Sequence, residues 1–130
     1  MKNIKFSYLY RDGGNHKRYA SVVFSNSDEL TVDVVKEALA EAFLPDGLFV
    51  ARQIRIPEAF LFERGNANSD DHCFHELDSV EVCLETATDV CSRSIGQFVA
   101  EVKKQAKIGW TAFDPHTAAG EQLSTRRRTA

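Results

Sequence analysis

Ile4, Phe6, Tyr8 and Tyr10 alternate with Lys5, Ser7 and Leu9. A period of two marks a half-buried strand. Residues 11–18, Arg-Asp-Gly-Gly-Asn-His-Lys-Arg, break the alternation with turn chemistry. Tyr19 to Phe24 resumes it in β-branched and aromatic residues. The two runs predict an antiparallel hairpin with a loop longer than the tightest kind. Thr31 is placed to cap a helix, with Asp33 near the positive end of its dipole. Val32, Val35, Leu39, Ala42 and Phe43 then recur at helical spacing, and Pro45-Asp46-Gly47 stops the pattern.

Leu48 to Ala51 reads as a short strand, and Phe60-Leu61-Phe62 as another. A polar loop from Gly65 leads into a longer strand, from about His72 to Leu84. Ser94-Ile95-Gly96-Gln97 fits a capping box ahead of an apolar stripe. Ile95, Phe98, Val99, Val102, Ala106, Trp110 and Phe113 follow at steps of three and four, until Asp114-Pro115 ends the helix. The element order is β-β-α-β-β-β-α. The fold class expected is α+β, an antiparallel or mixed five-stranded sheet carrying two helices.

With 130 residues, 43% of them hydrophobic and 27% charged, the chain fits one domain over residues 1–116. Residues 117–130 have little apolar content and are expected to be a disordered tail. The net charge of −3 divides unevenly: residues 1–116 carry 13 Lys+Arg and 18 Asp+Glu, whereas Arg126, Arg127 and Arg128 make the tail basic. An acidic body argues against duplex DNA as a partner, because neutralising phosphates requires a basic face. It leaves room for a small anion held by a few placed cations. No apolar run approaches a membrane span, and the first residues do not read as a signal peptide. Three cysteines without CxxC spacing are expected as free thiols, which suits the cytoplasm.

The segment Asp70-Asp71-His72-Cys73-Phe74-His75-Glu76-Leu77-Asp78 concentrates acids, imidazoles, a thiol and a ring in one strand with its lead-in. A strand that only filled a core would not be built this way. On a regular strand His72, Phe74, Glu76 and Asp78 share one face, while Cys73, His75, Leu77 and Ser79 share the other. The first set is either a solvated face or a surface for a ligand or subunit. A metal site would need His72 and His75 to converge, and their spacing sends them apart, so no metal is expected. Cys73 is separated from both histidines for the same reason, Ser and Asp lack a nucleophile-elbow context, and no catalytic residue is expected.

The loop 11–18 is either an ordinary turn or a cradle in which glycine N–H groups and Arg11, Lys17 and Arg18 face an anion. Arg93 lies just before the positive end of the last helix, which makes sense if an anion approaches: a carboxylate of this chain or a ligand phosphate. Lys103, Lys104 and Lys107 run along the polar side of the helix as either a solvated face or a source of charge for a ligand, and Trp110 belongs to core, subunit contact or ligand platform.

Lys5-Phe6-Ser7-Tyr8-Leu9-Tyr10-Arg11-Asp12-Gly13-Gly14-Asn15, Val22-Val23-Phe24-Ser25-Asn26, Asp71-His72-Cys73-Phe74-His75-Glu76 and Asp78-Ser79-Val80-Glu81 together resemble the small phage proteins that act as anti-Thoeris signal sponges. The resemblance covers roughly residues 2–115. It implies sequestration without catalysis: such proteins bind cyclic ADP-ribose isomers made by bacterial TIR-domain enzymes. It also implies a homo-oligomer with pockets at subunit interfaces, in the host bacterial cytoplasm. A sponge needs rings for the adenine and cations for the pyrophosphate. The residues expected to supply them are Phe74 and Trp110, with Arg11, Arg18, Arg93 and Lys107, and with Asn15 and His75 for polar contacts. The alternative reading is an adaptor or inhibitor that uses the Asp70–Glu81 face against a protein.

Overall fold

The structure, a computed structural model, describes residues 2–63 and 66–116. Strands β1 (Asn3–Arg11) and β2 (Lys17–Phe24) form the hairpin, followed by helix α1 (Val32–Ala42), the two-residue strand β3 (Leu48–Phe49), strand β4 (His75–Cys83) and helix α2 (Ile95–Ile108). The sheet order is β2-β1-β4-β3, and every neighbouring pair is antiparallel. The class is α+β with two helices, as the patterning indicates, but the sheet has four strands rather than five. Phe60-Leu61-Phe62 is not a strand. The rings of Phe60 and Phe62 stack on each other at 4.6 Å, and both stand edge-on to Tyr10. The Phe60 carbonyl accepts from the Arg18 guanidinium instead of a strand neighbour. Ring packing thus satisfies the apolar spacing that resembled a strand.

The caps form where the sequence places them. Thr31 Oγ1 accepts from the Val34 N–H at 3.2 Å. Ser94 and Gln97 complete a reciprocal capping box at 3.1 and 2.9 Å. Helix α2 ends earlier than expected, at Ile108, because Gly109 adopts φ 110°. Trp110 and Phe113 therefore continue the apolar spacing outside the helix. None of the described helices is long and apolar enough to cross a membrane. The expected tail, with Arg126–Arg128, lies outside the described residues.

One face of the sheet carries the core. Ile4, Phe6 and Tyr8 of β1 and Val22 and Phe24 of β2 pack against Val35 and Leu39 of α1 and Ile95, Phe98, Val99 and Val102 of α2. Burying one such large apolar side chain contributes about 1.5–3 kcal/mol. Both helices lie on this inner face. The outer face carries Lys5, Ser7 and Arg11, and Ser21, Ser7 and Ser79 form a row across β2, β1 and β4.

β4 carries a bulge. Ser7 pairs with Ser79, yet the next residue, Tyr8, pairs with Leu77, so Asp78 is an extra residue. Cys73, His75 and Leu77 face inward before the bulge, and Val80 faces inward after it. Ser79 therefore sits opposite Leu77, not beside it as uniform alternation predicts.

His75 is a polar member of the core, 1% exposed and ringed by Tyr8, Tyr10, Phe49 and Phe60. Its Nε2 accepts the Ala59 N–H at 2.8 Å, which places the ring proton on Nδ1. Nδ1 has no partner among the described residues. Burial, reinforced by the nearby His72, pulls the His75 pKa down to about 4. Protonation would bury a charge and turn the Ala59 N–H and its acceptor into two donors. The unfolded chain binds this proton near pH 6.5 and the folded chain only near 4, so stability falls as pH drops through that window. The loss expected by pH 4 is on the order of 3 kcal/mol, read as urea midpoints between pH 7 and 4. His75→Gln, whose amide oxygen can take the Ala59 N–H, should flatten that slope; an unchanged slope would exclude His75 as its source.

Candidate functional site

At the outer face, where β1 ends and β4 begins, lies an open cleft of about 710 Å³, lined by Arg11, Asp12, Gly13, Asp46, Leu48, His72, Phe74 and Glu76. Its volume is in the range that holds a cofactor-sized molecule. Three strands meet here: Leu48 of β3 pairs with Glu76 of β4, which pairs with Leu9 of β1 two residues before Arg11. His72, Phe74 and Glu76 reach one side because they alternate with the inward Cys73, His75 and Leu77. Asp46 comes from a tight turn with φ 66°, followed by Gly47 at φ 74°. A Cβ on Gly47 would come within 3.3 Å of Leu77 Cβ, so glycine suits this contact twice over.

Among the described residues, Arg11 is the only cation of the lining. Its Nε and Nη2 donate to the two oxygens of Glu76 at 2.9 and 3.3 Å, and Nη1 donates to Asn15 Oδ1. These bonds occupy three of the five N–H groups of a guanidinium, and the other two have no partner among the described residues. Asn15 holds φ 67° in the hairpin turn and thus positions Arg11. The turn is closed by its own groups and by the chain at Asp70. Asp12 Oδ1 accepts the His16 N–H at 2.8 Å, and the Gly13 N–H donates to the Asp70 carbonyl at 2.8 Å. Hydrogen bonds from His16 hold the Asp12 carboxyl below its ordinary pKa. The loop is a turn with one outward arginine, and Gly13 offers no free N–H to an anion.

His72 is fixed by backbone on both sides. Its Nε2 lies 2.7 Å from the Arg11 carbonyl, and its Nδ1 lies 3.0 Å from the Phe74 N–H. Both ring nitrogens are thus engaged with backbone groups. Burial pushes the neighbouring Cys73 thiol above its ordinary pKa, against thiolate formation. His72 and His75 point to opposite sides, one into the cleft and one into the core.

The remaining expected ligand residues are dispersed. Arg18 pairs with Tyr10 in the hairpin, on the opposite face from Arg11, and donates to the Phe60 carbonyl at 3.2 Å. Lys107 is exposed in the last turn of α2. Trp110 donates its Nε1–H to the Ala42 carbonyl at 3.0 Å and packs on Phe43, joining the end of α1 to the chain beyond α2. Of the eight, Arg11 and Phe74 line the cleft, and Asn15 supports Arg11. Patterning puts His72 and Glu76 beside Phe74 but gives no sign that Asp46 and Leu48 join them. That junction depends on a two-residue strand.

Arg93 is spoken for within the fold. It is 6% exposed, and its guanidinium lies over Phe98 and Phe24. Nε and Nη2 grip Asp89 at 2.9 Å each, Nη1 donates to the Ile54 carbonyl and Glu101, and Nη2 also donates to the Arg55 carbonyl. All five N–H groups are used. The anion that the sequence requires near Arg93 is thus Asp89 of this chain, with Glu101. Burial raises the Asp89 pKa, but hydrogen bonds from Arg93 outweigh it and hold the carboxyl below its ordinary value. Arg55 adds a second grip on Glu101 at 2.9 and 2.6 Å.

Removing the guanidinium would strand a buried carboxylate. Arg93→Ala is expected to destabilise the fold by about 3–5 kcal/mol in urea unfolding, while a loss under ~1 kcal/mol would contradict this role. Compared with protein-family models, with curated proteins and with solved structures, the chain matches none.

Proposed function

We propose that this protein captures a cyclic nucleotide signal of the cyclic ADP-ribose class and holds it without cleavage, which withholds the signal from a TIR-based antiphage defence. The observation that carries the reading is the cleft in which Phe74 and the two spare N–H groups of Arg11 share one opening. A ring for a base and a guanidinium for a phosphate are the minimum for gripping a nucleotide. The anti-Thoeris sponge resemblance draws on the segments that supply them, Lys5–Asn15 and Asp71–Glu76.

Asp12, Asp46 and Glu76 supply acceptors for ribose hydroxyls and for an exocyclic amine. They also oppose a pyrophosphate. One guanidinium against three carboxylates leaves the phosphates short of positive charge, a balance that suits a pocket completed by a second subunit. Retention without turnover agrees with His72, whose nitrogens are both engaged, and with the protonated Cys73 thiol.

Calorimetry with a cyclic ADP-ribose isomer tests the reading, followed by recovery of the ligand from heat-denatured protein. Saturable binding and intact release are expected. Phe74→Ala and Arg11→Ala should each weaken binding about tenfold or more, while Arg18→Ala and Lys107→Ala stay within about twofold. No binding heat, or release of an opened product, would refute the proposal.

A further inference from the structure

The sheet has an unfinished edge. β3 covers β4 only through Leu48↔Glu76 and Phe49↔His75. Gly47 packs on Leu77, where that cover ends. From Asp78 to Cys83, the second edge of β4 has no strand partner among the described residues. A row of backbone N–H and C=O groups is therefore presented for pairing.

The side chains along this edge specify what would pair there. Asp78 and Glu81 are exposed and form no salt bridge among the described residues: Lys5 stands across from Glu81 but bonds Glu85, and Arg11 holds Glu76. Residues 75–85 contain no lysine or arginine. Val82, on the helix side of the sheet, is 48% exposed, and Leu84 just beyond the strand is 81% exposed. Glu81 on the outer face and Asp78 at the bulge offer carboxylate, and the helix side at Val82 offers uncovered aliphatic surface.

We propose that this edge receives an extended, basic segment of another polypeptide as a fifth strand, with alternate residues apolar and cationic. Main-chain hydrogen bonds supply the attachment, and the two rows of side chains choose the sequence. Apolar residues of the incoming strand cover Val82, while its cations meet Asp78 and Glu81. A second copy of this chain is a poor occupant: its own β4 has no lysine or arginine between residues 75 and 85 to offer Asp78 and Glu81. The edge starts beyond the last cleft residue, Glu76, so strand capture stands or falls apart from nucleotide capture.

The probe is a labelled ten-residue peptide of alternating lysine and valine, titrated by fluorescence anisotropy and by amide NMR shifts. Saturable binding is expected, with shifts confined to residues 77–84. A peptide of equal charge with prolines at alternate valines should bind about tenfold more weakly or worse, because proline cannot donate to a ladder. The double variant Asp78→Lys, Glu81→Lys should lose about tenfold or more, while the same charge change on α1, Glu37→Lys with Glu41→Lys, stays within about twofold. Absence of binding, equal binding of the proline peptide, shifts at Asp12 and Asp46 instead, or concentration-dependent protection of 78–83 by self-pairing would each overturn the proposal.

Discussion

One extra residue in β4 governs what this sheet shows to solvent. Side chains of a strand alternate between faces, so an inserted residue exchanges the two sets from that point on. Before Asp78, the inward residues are Cys73, His75 and Leu77, and the outward set is His72, Phe74 and Glu76. After it, Val80 faces the core and Ser79 faces out. Without the bulge, one of the two halves of β4 would turn its polar residues into the core. The cleft and the core contacts of β4 are thus two results of the same irregularity. The uncovered edge that starts at Asp78 owes its length to the short β3.

The chemistry-bearing side chains are divided between building and displaying. Arg93 spends every donor on Asp89, Glu101 and two carbonyls, closing three segments of chain around one guanidinium. His75 is held neutral in an aromatic cage and ties the chain at Ala59 to β4. Trp110 seals the junction beyond α2. In contrast, Arg11 retains donors among the described residues, Phe74 is half-buried beside it, and Asp78 and Glu81 are exposed without a salt bridge among the described residues. A residue type that suits ligand binding carries no such role once its polar atoms are satisfied inside the fold.

The cleft and the sheet edge differ in what they can hold. The cleft is concave, joins a ring to a guanidinium, and carries carboxylates suited to hydroxyl groups. The edge is linear, with exposed carboxylates at Asp78 and Glu81 and exposed aliphatic surface at Val82. The first has the shape proposed for small-molecule capture and the second the shape proposed for strand capture, since backbone ladders recognise extended chains.

The sequence by itself determined the hairpin, both helix N-caps, most of the core stripe and the opposed directions of His72 and His75. These follow from local periodicity and capping, which act over a few residues. It placed Arg93 correctly beside an anion but left open whether that anion belonged to the chain or to a ligand. Only the tertiary structure decided that it is Asp89, that Phe60 and Phe62 pack on Tyr10 without forming a strand, that Asp78 is a bulge, and that Asp46 reaches the side of β4 occupied by Phe74. Each of these is set by contacts between segments far apart in the chain, whose energies outweigh the local preferences that a pattern of residues records.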